Sequence, residues 1–264
     1  MKQQKKIYIL VDMEGISGIC RASQVRVGEL HYPEGRLQMT REVNACVEAC
    51  LEAGATEVVV RDVHGTCFNL VFDQLHPGAR YIMGESQMGR MPGIRQFDGL
   101  ILLGYHAMAG TPFGVLEHTA NSLLWQNFWL NGVKAGEIAV DAGIAGDHGV
   151  PVIMVSGDDK TVAETEAFLP HAVKAEVKQG IGIEGAIFLS PGEARRVIQE
   201  KTREAVKRCA EIPPFMVEKP VTLRLQLVSR GRLPRHRQGF REIDGQTFEV
   251  TAPSVQQAVY LIEG

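Results

Sequence analysis

The chain has 264 residues, of which 45% are hydrophobic and 22% charged, a composition suited to one large globular α/β domain or a domain with a smaller appendage. Its formal net charge of -3, from 28 Lys and Arg against 31 Asp and Glu, lacks the basic excess of nucleic-acid binders and excludes none of the soluble enzyme classes. A chain of this length buries a core without disulfide or metal staples, so any metal points to chemistry rather than to fold support.

The first segment, MKQQKK, is followed by only five apolar residues, Ile7 to Val11, before Asp12 and Glu14 interrupt. That is too short for a signal-peptide core, and no later run approaches a membrane span. Five cysteines (Cys20, Cys46, Cys50, Cys67 and Cys209) include no C-x-x-C pair, which argues against a disulfide framework or zinc knuckle. The expected location is cytoplasmic, with no membrane partner.

Apolar runs at 7–11, 57–61, 100–104 and 151–155 read as buried parallel strands. Between the first two, Leu37, Val43, Cys46, Val47, Cys50 and Leu51 form one helical face over 36–53, with Gly54 as the stop. Strand, helix, strand makes a βαβ unit. Further on, Asn131-Gly132 between apolar stretches marks a hairpin, and Trp125, Phe128 and Trp129 around it read as packed core or an interface. Helices follow over 158–168, capped by Asp158, and over 191–209. The latter carries Ser190 as cap, Pro191 in the first turn and Glu193 placed for a capping box. Residues 220–228 and 246–251 read as strands. The expected fold is therefore α/β, a mostly parallel open sheet flanked by helices. Residues 1–212 would form the main domain, and 213–264 a smaller C-terminal α+β appendage after the Pro213-Pro214 linker.

Chemistry-bearing residues cluster at strand ends. Asp12 and Glu14 directly follow the first run, His64 the second and His106 the third. In an open α/β sheet the carboxyl ends of the strands line the ligand crevice. Imidazoles and carboxylates suit zinc or a similar divalent ion, and Asp12 has two oxygens with which to bridge a pair of ions. Each residue alone also fits a turn or core role. Asp62, two residues before His64, is a candidate to orient a ligand histidine.

These residues sit in motifs that resemble the D-aminopeptidase family of binuclear zinc peptidases. VDMEGISG (11–18), YPEGRLQMTREVNA (32–45), RDVHG (61–65), LHPGA (75–79), LLGYHA (102–107), GVLEHT (114–119), NGVKAGEIAVDAGIAG (131–146) and PVIMVSGDD (151–159) occur in order, and the likeness runs from about residue 7 to 210. The resemblance implies that Asp12 bridges two zinc ions. It implies that Glu14 and His106 complete one ion and that His64 and Glu137 complete the other. It places a catalytic histidine at His118, as nucleophile, general base or transition-state donor. It further implies removal of an N-terminal residue, often a D-amino acid, from short peptides, inside a homo-oligomeric ring of pentamers or a decamer.

Some positions depart from the family pattern. Val11 stands where serine is frequent, and Glu117 beside His118 adds a carboxylate able to raise its pKa. The segment 229–241 holds five arginines, read as a solvated or subunit-contact loop. Two rival functions use the same residues: a binuclear phosphoesterase, which would want cations or an anion nest beside the metals, and a non-catalytic peptide-binding ring.

Overall fold

The computed structural model describes residues 5–232 and 239–263. In chain order they form β1 (Lys5–Val11), the short turn α1 (Ala22–Val25), α2 (Tyr32–Glu52), β2 (Ala55–Asp62), β3 (Arg80–Ile82) and β4 (Gly99–Leu103). Next come β5 (Trp125–Leu130), β6 (Val133–Lys134), α3 (Glu137–Gly146), β7 (Val152–Asp158), α4 (Asp159–Phe168), β8 (Val173–Gly182), β9 (Gly185–Phe188) and α5 (Pro191–Arg208). The last elements are β10 (Val221–Leu227), β11 (Phe240–Glu242), β12 (Thr247–Ala252) and α6 (Val255–Glu263).

The larger sheet has the order β3-β2-β1-β4-β7-β8-β9. Its pairings are parallel from β3 to β8, and only β9 runs antiparallel. The mostly parallel sheet flanked by helices is thus observed. Its central strands are apolar throughout because both faces are covered. Ile7, Ile9 and Val11 pack with Met39, Val43 and Cys46 of α2 and with Ile198 and Ala205 of α5. The alternate residues Tyr8 and Leu10 face Ile138 and Ala142 of α3, with Phe128, Leu223 and Phe248 of the second sheet, as a two-residue side-chain period requires.

The second sheet, β11-β12-β10-β5-β6, is antiparallel. It differs in make-up from a unit confined to 213–264: β10 pairs with β5, so the 125–134 hairpin lies within the same sheet as 221–252. The physical reason is the hairpin's apolar face. Phe128 and Leu130 are buried against Leu223 and Leu225, which alternate inward along β10. The turn is the one expected, with left-handed Asn131 (φ 46°) and Gly132 (φ 81°). Of the arginine-rich stretch, residues 233–238 lie outside the described residues, while Arg241 pairs with Glu249 at 2.6 Å.

Helix ends refine the expectations. α2 starts at Tyr32, ahead of the apolar pattern, because Pro33 fits the first helical turn. Asp158 caps α4 by accepting from the Thr161 N–H at 2.7 Å. Ser190 caps α5, but the Glu193 carboxylate pairs with Arg196 instead of closing a capping box. Among the described residues no helix is long and apolar enough to cross a membrane.

α3 is wedged so tightly that a Cβ on Gly146 would lie 1.9 Å from the Phe215 carbonyl oxygen, whereas one on Gly143 would meet only valine methyls at 3.0 and 3.1 Å. Backbone cannot yield as a side-chain tip can. Gly146→Ala should therefore destabilise the protein by about 1–3 kcal/mol or more, clearly more than Gly143→Ala, as read from urea unfolding midpoints.

Candidate metal centre

In the sheet β1 lies between β2 and β4, so three adjacent strands end at one rim. The residues that follow them are Asp12 and Glu14, His64, and His106. Two glycines bring the ends of β1 and β4 into contact. Gly15 donates its N–H to the Gly104 carbonyl at 2.8 Å, and a Cβ there would lie 1.8 Å from the Tyr105 carbonyl oxygen. Gly104 takes a left-handed φ of 71°, with the Asp12 carbonyl 2.5 Å from where its Cβ would be. No side chain fits between these strands.

Glu137 arrives from elsewhere. The β5–β6 hairpin feeds Gly136, and Glu137 is the first residue of α3, where the helix N-terminus favours a carboxylate. His118 comes from the loop between β4 and β5. Leu116, two residues before it, holds a φ of 52°, uncommon for a residue with a side chain.

The donors converge. Asp12 Oδ1 lies 3.0 Å from His64 Nδ1, and Glu14 Oε2 lies 3.0 Å from the same nitrogen. Asp12 Oδ2 lies 3.4 Å from His106 Nε2, which is 3.3 Å from Glu137 Oε1. His118 Nε2 is 3.8 Å from Glu137 Oε1, and its ring stacks on His106 with centroids 4.1 Å apart. All six residues proposed from sequence therefore share one place. Their nearest atoms group as Asp12, Glu14 and His64, and as His106, His118 and Glu137. The β2 end delivers His64 onto the Glu14 side of the cluster.

Each imidazole has its far nitrogen fixed by a backbone carbonyl. His64 Nε2–H donates to Val25 at 2.7 Å, His106 Nδ1–H to Ala107 at 3.0 Å and His118 Nδ1–H to Leu116 at 2.9 Å. The nitrogen facing the cluster is then the one free to act as a ligand or base. Asp62 serves this arrangement indirectly. Its carboxylate takes the N–H groups of Asn69 (2.5 Å) and Leu70 (3.2 Å) and the Asn69 side-chain amide (2.9 Å), so it shapes the 63–70 loop rather than the His64 ring. Glu117 likewise turns away, accepting from the Gly110 N–H at 2.6 Å.

Burial would raise the Asp12 carboxyl, but the adjacent His106 and His64 imidazoles outweigh it and hold Asp12 well below the carboxylate range. Glu137 behaves alike: burial is overcome by His106, and its carboxyl falls to about 2. Burial pulls both imidazoles down, yet Glu14 and Asp12 at His64, and Asp12 and Glu137 at His106, push them well above the usual histidine value. Protons and divalent cations compete for the same lone pairs. The donor set fits a metal: Glu14 Oε2 and His106 Nε2 are buried and make no hydrogen bond, and groups of this kind are costly unless something else satisfies them.

Several contributors carry no sequence signal. Arg90, on an irregular loop, grips Asp141 of α3 through Nε (2.5 Å) and Nη2 (2.9 Å) and lies 3.5 Å from Glu137 Oε2. Tyr105 donates to the same Asp141 at 2.6 Å. A cavity of about 480 Å³ opens over the donors. Val25, Val27, Val63 and Leu116 give it apolar walls, and Arg26, Arg90 and Ser122 give it polar ones.

Behind the site, Glu164 of α4 accepts from the Met108 N–H at 2.7 Å, while its other oxygen makes no hydrogen bond. Burial pushes this carboxyl up to about 7 from an ordinary 4.5. A raised folded value means stability that is full below the unfolded pKa and lost as pH rises through the folded one. In the metal-free protein, Glu164→Gln should remove that loss. The melting temperature of the variant should gain on the parent between about pH 5 and about pH 8, and a constant gap would contradict it.

The peptidase M55 family model, described as D-aminopeptidase, matches residues 5–264, so the match extends past residue 210 into the C-terminal strands. A curated D-aminopeptidase of Bacillus subtilis (strain 168) is 37% identical over 231 residues, covering 86% of this chain and 83% of its own length. A solved structure, described as the Zn-dependent D-aminopeptidase DppA from Bacillus subtilis, a self-compartmentalizing protease, superposes with a TM-score of 0.93 at 34% identity. It covers 98% of this chain and 96% of that one. With a full-length family match, a relative of this identity and a shared fold, the chain belongs to the D-aminopeptidase family.

Proposed function

We propose that this protein is a zinc-dependent aminopeptidase that removes the N-terminal residue, in particular a D-amino acid, from short peptides or amino-acid amides. The observation that carries the reading is the convergence of Asp12, Glu14, His64, His106 and Glu137, all but the buried His106 lining a cavity that also exposes His118. A volume of about 480 Å³ lies within the range of small-molecule pockets and suits a short peptide rather than a folded chain. Two zinc ions per chain are proposed, shared by Asp12, whose two oxygens face opposite halves of the cluster. Glu14 and His64 would serve one half, and His106 and Glu137 the other. Bound zinc would supply Lewis-acid chemistry, polarising a carbonyl and acidifying water.

The chain's own residues do the rest. The Leu116 carbonyl holds the proton of His118 on Nδ1, so Nε2 presents a lone pair toward the cavity. We assign His118 as the general base that takes a proton from the attacking water and returns it to the departing amine. The His106 ring stacked against it limits its rotation. Arg90 steadies Glu137 while itself committed to Asp141, which leaves it a poor phosphate clamp and disfavours a phosphoesterase.

Oligomerisation into a closed ring, as a pentamer or decamer, is part of the proposal. The solved relative is described as self-compartmentalizing, and exposed apolar residues such as Leu30, Phe72, Met88 and Leu123 are candidates for burial between copies. The five free cysteines suit a cytoplasmic setting.

The deciding experiment is hydrolysis of matched D- and L-alanyl peptides by zinc-reconstituted protein, with metal content measured on the same sample. Release of N-terminal D-alanine is expected; zinc-loaded protein that binds peptide without cleaving it would point to the sequestering ring. His118→Ala should lower turnover by on the order of 10²–10⁴-fold with zinc content unchanged, and loss of zinc in that variant would refute the separate role.

A further inference from the structure

The turn that follows β1 carries Asp12 and Glu14, and its backbone carbonyls point away from the cavity into a buried ammonium group. Lys178, on β8, is 2% exposed. Its Nζ donates to the carbonyl oxygens of Glu14 at 2.5 Å, Ile16 at 2.9 Å and Ile19 at 2.6 Å. Three acceptors match the three N–H groups of a charged lysine, whereas a neutral amine has only two. On the opposite flank, Glu42 of α2 accepts from the Ser17 N–H at 3.0 Å. The turn is therefore held by two buried side chains, Lys178 on its carbonyls and Glu42 on an amide.

A buried charge is costly to place where it only stiffens a loop that ordinary backbone bonds could hold. The same turn has other bonds: Asp12 N–H to Leu103 O at 2.9 Å, Gly15 N–H to Gly104 O at 2.8 Å and Ile19 N–H to Ile16 O at 3.3 Å. What those bonds do not do is gather three carbonyls inward. With these oxygens drawn to one point beneath the turn, Glu14 stays with Asp12 at the wall of the cavity above. The ammonium occupies a carbonyl cage of the kind that would suit a monovalent cation, but it is covalently tethered to β8.

We infer that Lys178 is a positioning residue, a built-in cation that sets the 14–19 turn in its metal-binding shape before any metal arrives. This rests on the reading that Asp12 and Glu14 hold metal. Nothing in the turn then has to reorganise on metal uptake, and the carboxylates that would repel one another in the empty site are kept together by the scaffold below them.

The test uses the full chain in its native assembly. Hydrogen exchange of the metal-stripped parent should show amides of residues 12–19 protected as in the zinc-loaded protein. Lys178→Met, close in length and without charge, should exchange at least about 10-fold faster over that segment while β1 and β4 remain protected. Its zinc affinity, by chelator competition, should fall on the order of 10–100-fold, the usual scale for loss of a group that supports metal ligands. Free exchange of 12–19 in the stripped parent would overturn the inference even if Lys178→Met failed to fold. A folded Lys178→Met that bound zinc like the parent would overturn it too. A parent that bound no zinc would instead refute the proposed function, and its exchange pattern would still decide whether the turn is pre-set.

Discussion

Two strand ends touch backbone to backbone, and the chemistry of this protein grows from that contact. Where β1 and β4 leave the sheet, Gly15 sits against the Gly104–Tyr105 peptide and Gly104 against the Asp12 carbonyl. Any Cβ at either position would force the ends apart. Because they are not apart, Asp12 and His106, 94 residues distant in the chain, have donor atoms 3.4 Å from one another. β2, on the other side of β1, supplies His64 to the same point. A parallel sheet delivers side chains at one rim; close packing without side chains makes that rim dense enough to hold ions.

Density of charge then sets the electrostatics. Asp12, Glu14 and Glu137 gather in one small space, and all three are mostly withdrawn from water. Such a cluster persists only beside positive charge. The protein supplies it in layers: imidazoles in contact with the carboxylates, Arg90 against Glu137, and the Lys178 ammonium beneath the Glu14 backbone. Arg90 is itself balanced by Asp141, and Lys178 lies near the carboxyls of Asp158 and Glu42. The Arg90–Asp141 pair is close to neutral as a unit, so it fixes positions without cancelling the pull that the inner carboxylates exert on a divalent cation.

How much of this was legible in sequence follows from physics. The central strands were readable because burial on both faces makes them apolar without interruption, and the site residues because they fall directly after those strands. α3 was not readable as a helix: every residue from Ile138 to Gly146 is buried, so it has no polar face to give a 3.6-residue rhythm. The pairing of β5 with β10 joins residues some ninety positions apart, which no local pattern encodes. Arg90 and Lys178 escaped notice for a related reason. A lone cation in a loop or strand looks solvated until the fold shows what surrounds it. Asp62 shows the reverse: its spacing from His64 suggested a ring partner, whereas its oxygens were already taken by the amides of the loop.

The mixed parentage of the second sheet has a consequence for how the chain could evolve or be trimmed. β5 and β6 lead straight into Gly136 and Glu137, and β5 is held in place by β10. Removing the strands after residue 212 would not shed a passive tail. It would unmoor the hairpin that aims Glu137 and strip away Val259 and Ile262, which line a pocket beside it. The C-terminal fifth of the molecule acts as a buttress for the centre, through β10 against the hairpin and through Gln256 of α6, which accepts from the Arg90 N–H at 3.3 Å.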